Sequence, residues 1–201
     1  MDTQVDMWQH LDKPKVLRER LDFVIGSTYR SGTTYTSNVL RALGIKCGHE
    51  SVFQAYDIQW PVVFSDSVRA DCSGAAPLWL DMIKQSKLPL IQLIRHPVPT
   101  INSMTKYGLP ARPFEECCER WYDYHTRMME FGPVALVHLE HFEYEMRVAL
   151  EEIGIKICPA RMHTACTEAG RGTSTKQFRY RWSDLPTKVT VLADHLGYTT
   201  A

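Results

Sequence analysis

The stretch Phe23-Val24-Ile25-Gly26-Ser27-Thr28-Tyr29-Arg30-Ser31-Gly32-Thr33-Thr34 constrains this chain more than any other. An apolar, β-prone run passes directly into a loop of small hydroxylated residues. That loop opens a segment of helical period, residues 33–43, with Val39, Leu40 and Leu43 on one face and Gly44 placed to close it. In such a junction successive backbone N–H groups form an anion nest, and the positive end of the following helix dipole adds to it. Gly32 lets the main chain come close, Thr33 and Thr34 offer hydroxyl donors, and Arg30 supplies a permanent charge with a planar donor fork. The same letters also permit a plain helix cap at Ser31 or Thr33.

Further along, apolar strand runs alternate with helical periods, the pattern of βαβ units around a parallel sheet. The spacing predicts strands near 68–72, over 88–94 and over 134–139. It predicts helices over 77–85, after Pro97, and over 114–130, 142–153 and 185–196. Residues 45–68 show no clear period. With 201 residues, no internal repeat and no Gly/Ser linker, a single domain is expected across 1–201, with residues 1–20 as a lead-in arm or short helix.

Lys+Arg and Asp+Glu both number 23, so the chain has no general field to attract nucleic acid or an anionic membrane, and neither is expected as a partner. Any anion must be bound locally. The six cysteines lack a C-x-x-C pair and read as reduced thiols, mostly in the core. The first residues lack a basic and apolar leader, and no apolar run approaches the roughly 20 residues that span a bilayer. The expected compartment is the cytoplasm.

The loop departs from the G-x-x-x-x-G-K-[ST] pattern of nucleotide kinases and ATPases: five residues separate Gly26 from Gly32, and Thr33 stands where the lysine belongs. Without that lysine, hydrolysis of a nucleoside triphosphate loses a main source of charge stabilisation. A second candidate anion site is Leu93-Ile94-Arg95-His96-Pro97 through Met104, a buried strand ending in Arg with Ser103 eight positions on. Taken alone, Arg95 could pair with a carboxylate and Ser103 could be a small packing residue.

Arg30-Ser31-Gly32-Thr33-Thr34 and the Arg95/Ser103 spacing together resemble the sulfotransferases, and in motif the bacterial, phage and tyrosylprotein branches most. The resemblance implies a three-layer, P-loop NTPase-like α/β domain with a mostly parallel central sheet. The activity it implies is sulfuryl transfer from 3′-phosphoadenosine 5′-phosphosulfate to a hydroxyl or amine of a small-molecule or glycan acceptor, with no metal required. Arg30, Ser31, Gly32, Thr33 and Thr34 then hold the 5′-phosphosulfate, and Arg95 and Ser103 the 3′-phosphate. Arg95 leaves the carboxyl end of a strand and Ser103 lies about two turns into the next helix, so both can face one phosphate. Cys47-Gly48-His49-Glu50 resembles the family's Gly-x-Glu, whose glutamate is the general base about 20 positions after the loop Arg. Glu50 is 20 after Arg30, with His49 in reserve.

The match has gaps. The family lysine that bridges the leaving-group oxygen is missing from residues 71–77, so stabilisation must come from Arg30 with the loop N–H groups or from Ser73. Arg171 and Lys176 stand in a basic loop that can close over the 3′-phosphate, and Trp182-Ser183-Asp184-Leu185-Pro186 resembles the start of a closing helix in bacterial and phage members. Residues 51–60 and 107–114 are expected to shape the acceptor pocket. Two other functions stay open: a nucleotide kinase, and a non-catalytic nucleotide-binding protein on the same fold. His138, Glu140, His141 and Glu145 are ligand-type residues, but the change from strand to helix is expected to splay them, so no metal site is expected.

Overall fold

Strands buried on both faces read as unbroken apolar runs, and this is how the sheet is built. The computed structural model describes residues 11–107, 112–170 and 178–198. Its strands are Phe23–Gly26 (β1), Cys47–His49 (β2), Ala70–Ser73 (β3), Leu90–Ile94 (β4) and Ala135–His138 (β5), and every residue of β1, β3 and β4 is buried. They form one sheet in the order β2-β3-β1-β4-β5. All pairings are parallel, with Ile25 opposite Cys72 on one side and Ile91 on the other. The mostly parallel sheet expected from the sequence is entirely parallel.

Side chains alternate across each strand, so the two faces have separate cores. Phe23, Ile25, Ile91 and Leu93 face helices Thr33–Ala42 (α2), Phe142–Glu152 (α7) and Pro159–Ala169 (α8), packing on Val39, Leu40, Met146, Leu150 and Met162. Val24 and Leu90 face the opposite way, onto helices Lys13–Arg20 (α1), Trp60–Phe64 (α3) and Leu80–Gln85 (α4), against Leu17, Val63 and Ile83. Helices Pro97–Tyr107 (α5), Phe114–Phe131 (α6) and Thr187–His195 (α9) pack together through Ile101, Trp121 and Val189. The result is a three-layer α/β architecture.

The expected elements are present with ends shifted by a few residues. The differences have local causes. Strand β2 has only three residues, one of them Gly48, and α3 has five, so residues 45–68 carry too few periods to read. Helix α8 buries only Met162 and Ala165, which leaves little of a stripe. The lead-in segment is integral to the core: Leu17 and Leu21 are fully or almost fully buried. All six cysteines are free, and Cys47, Cys72, Cys117 and Cys118 are buried. Among the described residues no helix is long and apolar enough to cross a membrane.

The chain leaves β1 toward β3 and β2 on one side and later places β4 and β5 on the other. This reversal opens a crevice at the carboxyl ends of β1 and β4, the position where open parallel sheets bind ligands. One buried polar pair braces α6 over that region: Gln92 Nε2 lies 3.0 Å from His125 Nδ1, and both side chains are inaccessible to solvent. Burial pushes the His125 pKa down from 6.5 to about 3. The folded protein therefore resists a proton that the unfolded chain accepts, and stability falls as pH drops through the window from about 6.5 to about 3. The contribution of this one group is up to ~1.4 kcal/mol per pH unit. We expect His125→Gln to flatten the dependence on pH, measured as urea-unfolding free energies across that window. A slope equal to the wild type's would assign the dependence to other groups.

Candidate functional site

The loop after β1 is tied down before it turns. Ser27 Oγ donates to the Leu93 carbonyl of β4 at 2.7 Å, and the hydroxyls of Thr28 and Ser31 meet at 2.6 Å across the loop. Arg30 (φ 69°) and Gly32 (φ 94°) both take left-handed backbone conformations. For Arg30 this costs roughly 1–2 kcal/mol, a strain that persists only where the surroundings impose it. At Gly32 a side chain is also excluded sterically, because a Cβ would lie 2.7 Å from Leu139 Cδ2. Gly32 is the N-cap of α2, and among the described residues no side-chain cap is formed there. The alternative of a cap by Ser31 or Thr33 is not realised: Ser31 is held by Thr28, and Thr33 Oγ1 lies 3.0 Å from His49 Nε2. The start of α2 thus presents the Thr33 and Thr34 amides at the end of the anion loop, where a helix N-terminus favours an anion.

Arg30, Ser103 and Arg95 converge on that loop. Arg30 Nε donates to Ser103 Oγ at 3.0 Å, and Arg95 Nη1 donates to the Arg30 carbonyl at 3.2 Å, across 65 residues of sequence. The Arg30 guanidinium also lies 5.3 Å from the Tyr107 ring centroid. Among the described residues Arg30 forms no ion pair, so its charge is available to an anion. Beside Ser103, Asn102 holds Tyr180 by two hydrogen bonds of 2.9 Å. Next to Arg95, the His96 ring packs on Trp182 and Tyr198, and its backbone N–H donates to Glu140. The C-terminal segment is thereby fastened to both residues flanking this anion cluster. Arg171 and Lys176 lie outside the described residues.

His49 and Glu50, neighbours in sequence, part company. His49 Nε2 sits 3.0 and 3.1 Å from the hydroxyls of Thr33 and Thr34, on the anion loop. Glu50 turns away with φ 50° and lines a cavity of about 470 Å³ with Tyr29, Phe53, Gln54, Tyr56 and Asp57. These come from the 51–60 segment expected to shape the acceptor pocket, and from the anion loop itself. Of the second expected segment, residues 108–111 lie outside the described residues, and Tyr107 is turned to Arg30. Tyr29 joins loop and cavity. Burial, then the neighbouring Tyr124 and Glu50, raise its pKa, and the Arg120 guanidinium stands 5.8 Å from its ring.

Two sequence expectations are corrected. Ser73 is not free to aid a leaving group, since its hydroxyl is fully buried, donates to the Phe53 carbonyl at 2.7 Å and accepts from Ala75 N–H at 2.9 Å. His138 and Glu145 do not splay: His138 Nδ1 is 3.0 Å from Glu145 Oε2, and Nε2 is 2.6 Å from the Leu196 carbonyl. They form a structural clasp, and no group of three metal-ligating side chains occurs among the described residues. Sequence reasoning passed over Tyr29, Asn102 and Asp71. Only Asp71 carries a signal, as the one charged residue type inside the buried strand Ala70–Ser73.

No protein-family model matches the chain, and no curated protein matches it by sequence. Among solved structures, mouse sulfotransferase SULT7A1 complexed with PAP is similar over 78% of this chain and 68% of its own, with a TM-score of 0.51 and 13% sequence identity. That likeness is one of fold: the five-stranded, all-parallel sheet between helical layers is the P-loop-like fold of a sulfotransferase.

Proposed function

We propose that this protein is a sulfotransferase that moves a sulfuryl group from 3′-phosphoadenosine 5′-phosphosulfate to a hydroxyl or amine of a small-molecule or glycan acceptor. The observation that carries this reading is the joining of Arg30, Ser103 and Arg95 beside an uncapped helix N-terminus, with Glu50 on an adjacent cavity. This donor set fits a carrier with phosphate at both ends of one adenosine. The loop amides, Arg30, Thr33 and Thr34 hold the 5′-phosphosulfate, while Arg95 and Ser103 hold the 3′-phosphate. PAP, the ligand of the mouse neighbour, is adenosine 3′,5′-bisphosphate, the product such a transfer leaves behind.

In this reaction the acceptor atom bonds to sulfur as the sulfur–oxygen bond to the 5′-phosphate breaks. The electron pair leaves with that phosphate, whose charge Arg30 and the α2 amides stabilise. Glu50, on the cavity, takes the acceptor's proton. His49 sits on the donor side and there orients Thr33 and Thr34. The free cysteines suit a reducing compartment, which we take to be the cytoplasm.

Titration with adenosine 3′,5′-bisphosphate should raise the unfolding temperature, reflecting about 2.7 kcal/mol of added stability at a hundredfold excess over Kd. Arg95→Ala should abolish that shift. No shift in the wild type removes the proposal, and a larger shift with ATP and Mg²⁺ would favour a kinase instead. In a sulfate-transfer assay across an acceptor panel, Glu50→Gln should lower kcat by about 10²–10⁴-fold while leaving bisphosphate affinity unchanged. Normal bisphosphate binding with no transfer by the wild type would point to the non-catalytic reading.

A further inference from the structure

Asp71 is a carboxylate with zero solvent exposure in a strand flanked on both sides by other strands. A buried carboxyl group needs its oxygens satisfied, and here backbone amides do it. Oδ1 accepts from Ser51 N–H at 3.0 Å, and Oδ2 accepts from Val52 and Phe53 N–H at 3.2 and 3.0 Å. Three successive amides of one loop thus wrap a single carboxylate. The neighbouring inward side chain of β3 adds a second tie, because Ser73 Oγ donates to the Phe53 carbonyl. Gly48 makes the fold-back possible: a Cβ there would lie 2.5 Å from Asp71 Oδ1 and 2.7 Å from Ser51 Cβ.

The residue immediately before the wrapped amides is Glu50, held in its left-handed conformation with its N–H on the Cys72 carbonyl at 3.1 Å. The residues that follow, Phe53 and Gln54, are walls of the cavity that Glu50 lines. Asp71 and Ser73 therefore fasten both ends of the acceptor-side loop to the middle of the sheet. The donor-side loop has side-chain ties of its own, through Ser27 Oγ to β4 and through Arg30 to Ser103, and meets β3 in the main chain, where the Ser27 N–H donates to the Ser73 carbonyl at 3.3 Å.

We infer that Asp71 is a positioning residue for the acceptor side of the reaction: it holds the 50–54 loop so that the Glu50 carboxylate and the wall formed by Phe53 and Gln54 keep a fixed relation to the anion loop. This rests on the sulfotransferase reading with Glu50 as base. An Asn at 71 presents a donor amide where an acceptor oxygen is needed, so at least one of the three N–H groups loses its partner and the loop is released. The effect is selective, since none of the Asp71 contacts reaches residues 27–34, Arg95 or Ser103.

The test compares Asp71→Asn, Ser73→Ala and Glu50→Gln in the full chain by steady-state kinetics, bisphosphate affinity and hydrogen exchange. For Asp71→Asn we expect kcat to fall about a hundredfold with acceptor KM altered, while donor KM and bisphosphate affinity stay at the wild-type value. Exchange should accelerate at 51–54 and not at 27–36. Ser73→Ala should move the same acceptor-side quantities less far, and it carries the test if Asp71→Asn does not fold. Loss of bisphosphate affinity in parallel with kcat, or equal loosening of both loops, would mark Asp71 as general scaffold and overturn the inference. So would acceptor-side kinetics unchanged in the variant that folds. If Glu50→Gln keeps full kcat, it is the base assignment that has failed. If Glu50→Gln is inactive and the Asp71 and Ser73 variants are not impaired, only the positioning role has failed.

Discussion

Parallel pairing of β1 with β4 decides where charge can gather in this molecule. Both strands are buried on both faces and cannot carry ionised side chains, so cations can appear only beyond their ends. The register sets Gly26 opposite Gln92, which brings the loop after β1 and the turn after β4 to the same edge of the sheet. Arg30 and Arg95, far apart in sequence, then share one contact, and Ser103 reaches it from the helix that follows β4. The chain carries as many acidic as basic residues, so attraction for an anion comes from this local arrangement and from the open amides of α2.

The parts of this arrangement that were legible in the sequence are those whose geometry is short-range. A strand, a small-residue loop and a helix in immediate succession allow few shapes, and eight positions along a helix is a fixed distance whatever surrounds it. The illegible parts depend on long-range packing or on a single torsion. Strand β2 exists because β3 is there to pair with it; three residues including a glycine carry no period of their own. Adjacent residues His49 and Glu50 looked like two candidates for one role. Their separation follows from the end of β2 at His49 and the left-handed turn at Glu50, neither visible as a residue pattern. Ser73 looked available because nothing in the sequence says that Phe53, 20 residues earlier, takes its hydrogen.

Among the described residues, two of the four non-glycine residues with positive φ are Arg30 and Glu50. The backbone of each is held from outside: Arg30 by Arg95 on its carbonyl, and Glu50 by the Cys72 carbonyl on its N–H and by the amides wrapped on Asp71 just beyond, while the Arg30 guanidinium also bonds Ser103. Backbone strain is thus balanced by contacts to the main chain at each residue. The side chain of Ser27 ties the loop after β1 to β4, and the side chain of Asp71 ties residues 51–53 to β3, while the Ser27 N–H also meets the Ser73 carbonyl of β3. The two sides meet through the His49 ring, which lies on the Thr33 and Thr34 hydroxyls, and through Tyr29 at the cavity wall.

The missing lysine sharpens the role of Arg30 in the proposed transfer. With Ser73 consumed by the 51–53 loop, the proposed transfer leaves the departing phosphate to the α2 amides, worth about half a unit charge as a dipole end, and to the full charge of Arg30. Arg30 is also bonded to Ser103, which the proposal assigns to the 3′-phosphate. A guanidinium has five donors, so it can keep that hydroxyl and still turn its terminal nitrogens to an oxyanion. A lysine ammonium is a point charge without that fork. In the proposed transfer Arg30 therefore bonds the residue assigned to the 3′-phosphate while its charge faces the leaving group at the other end.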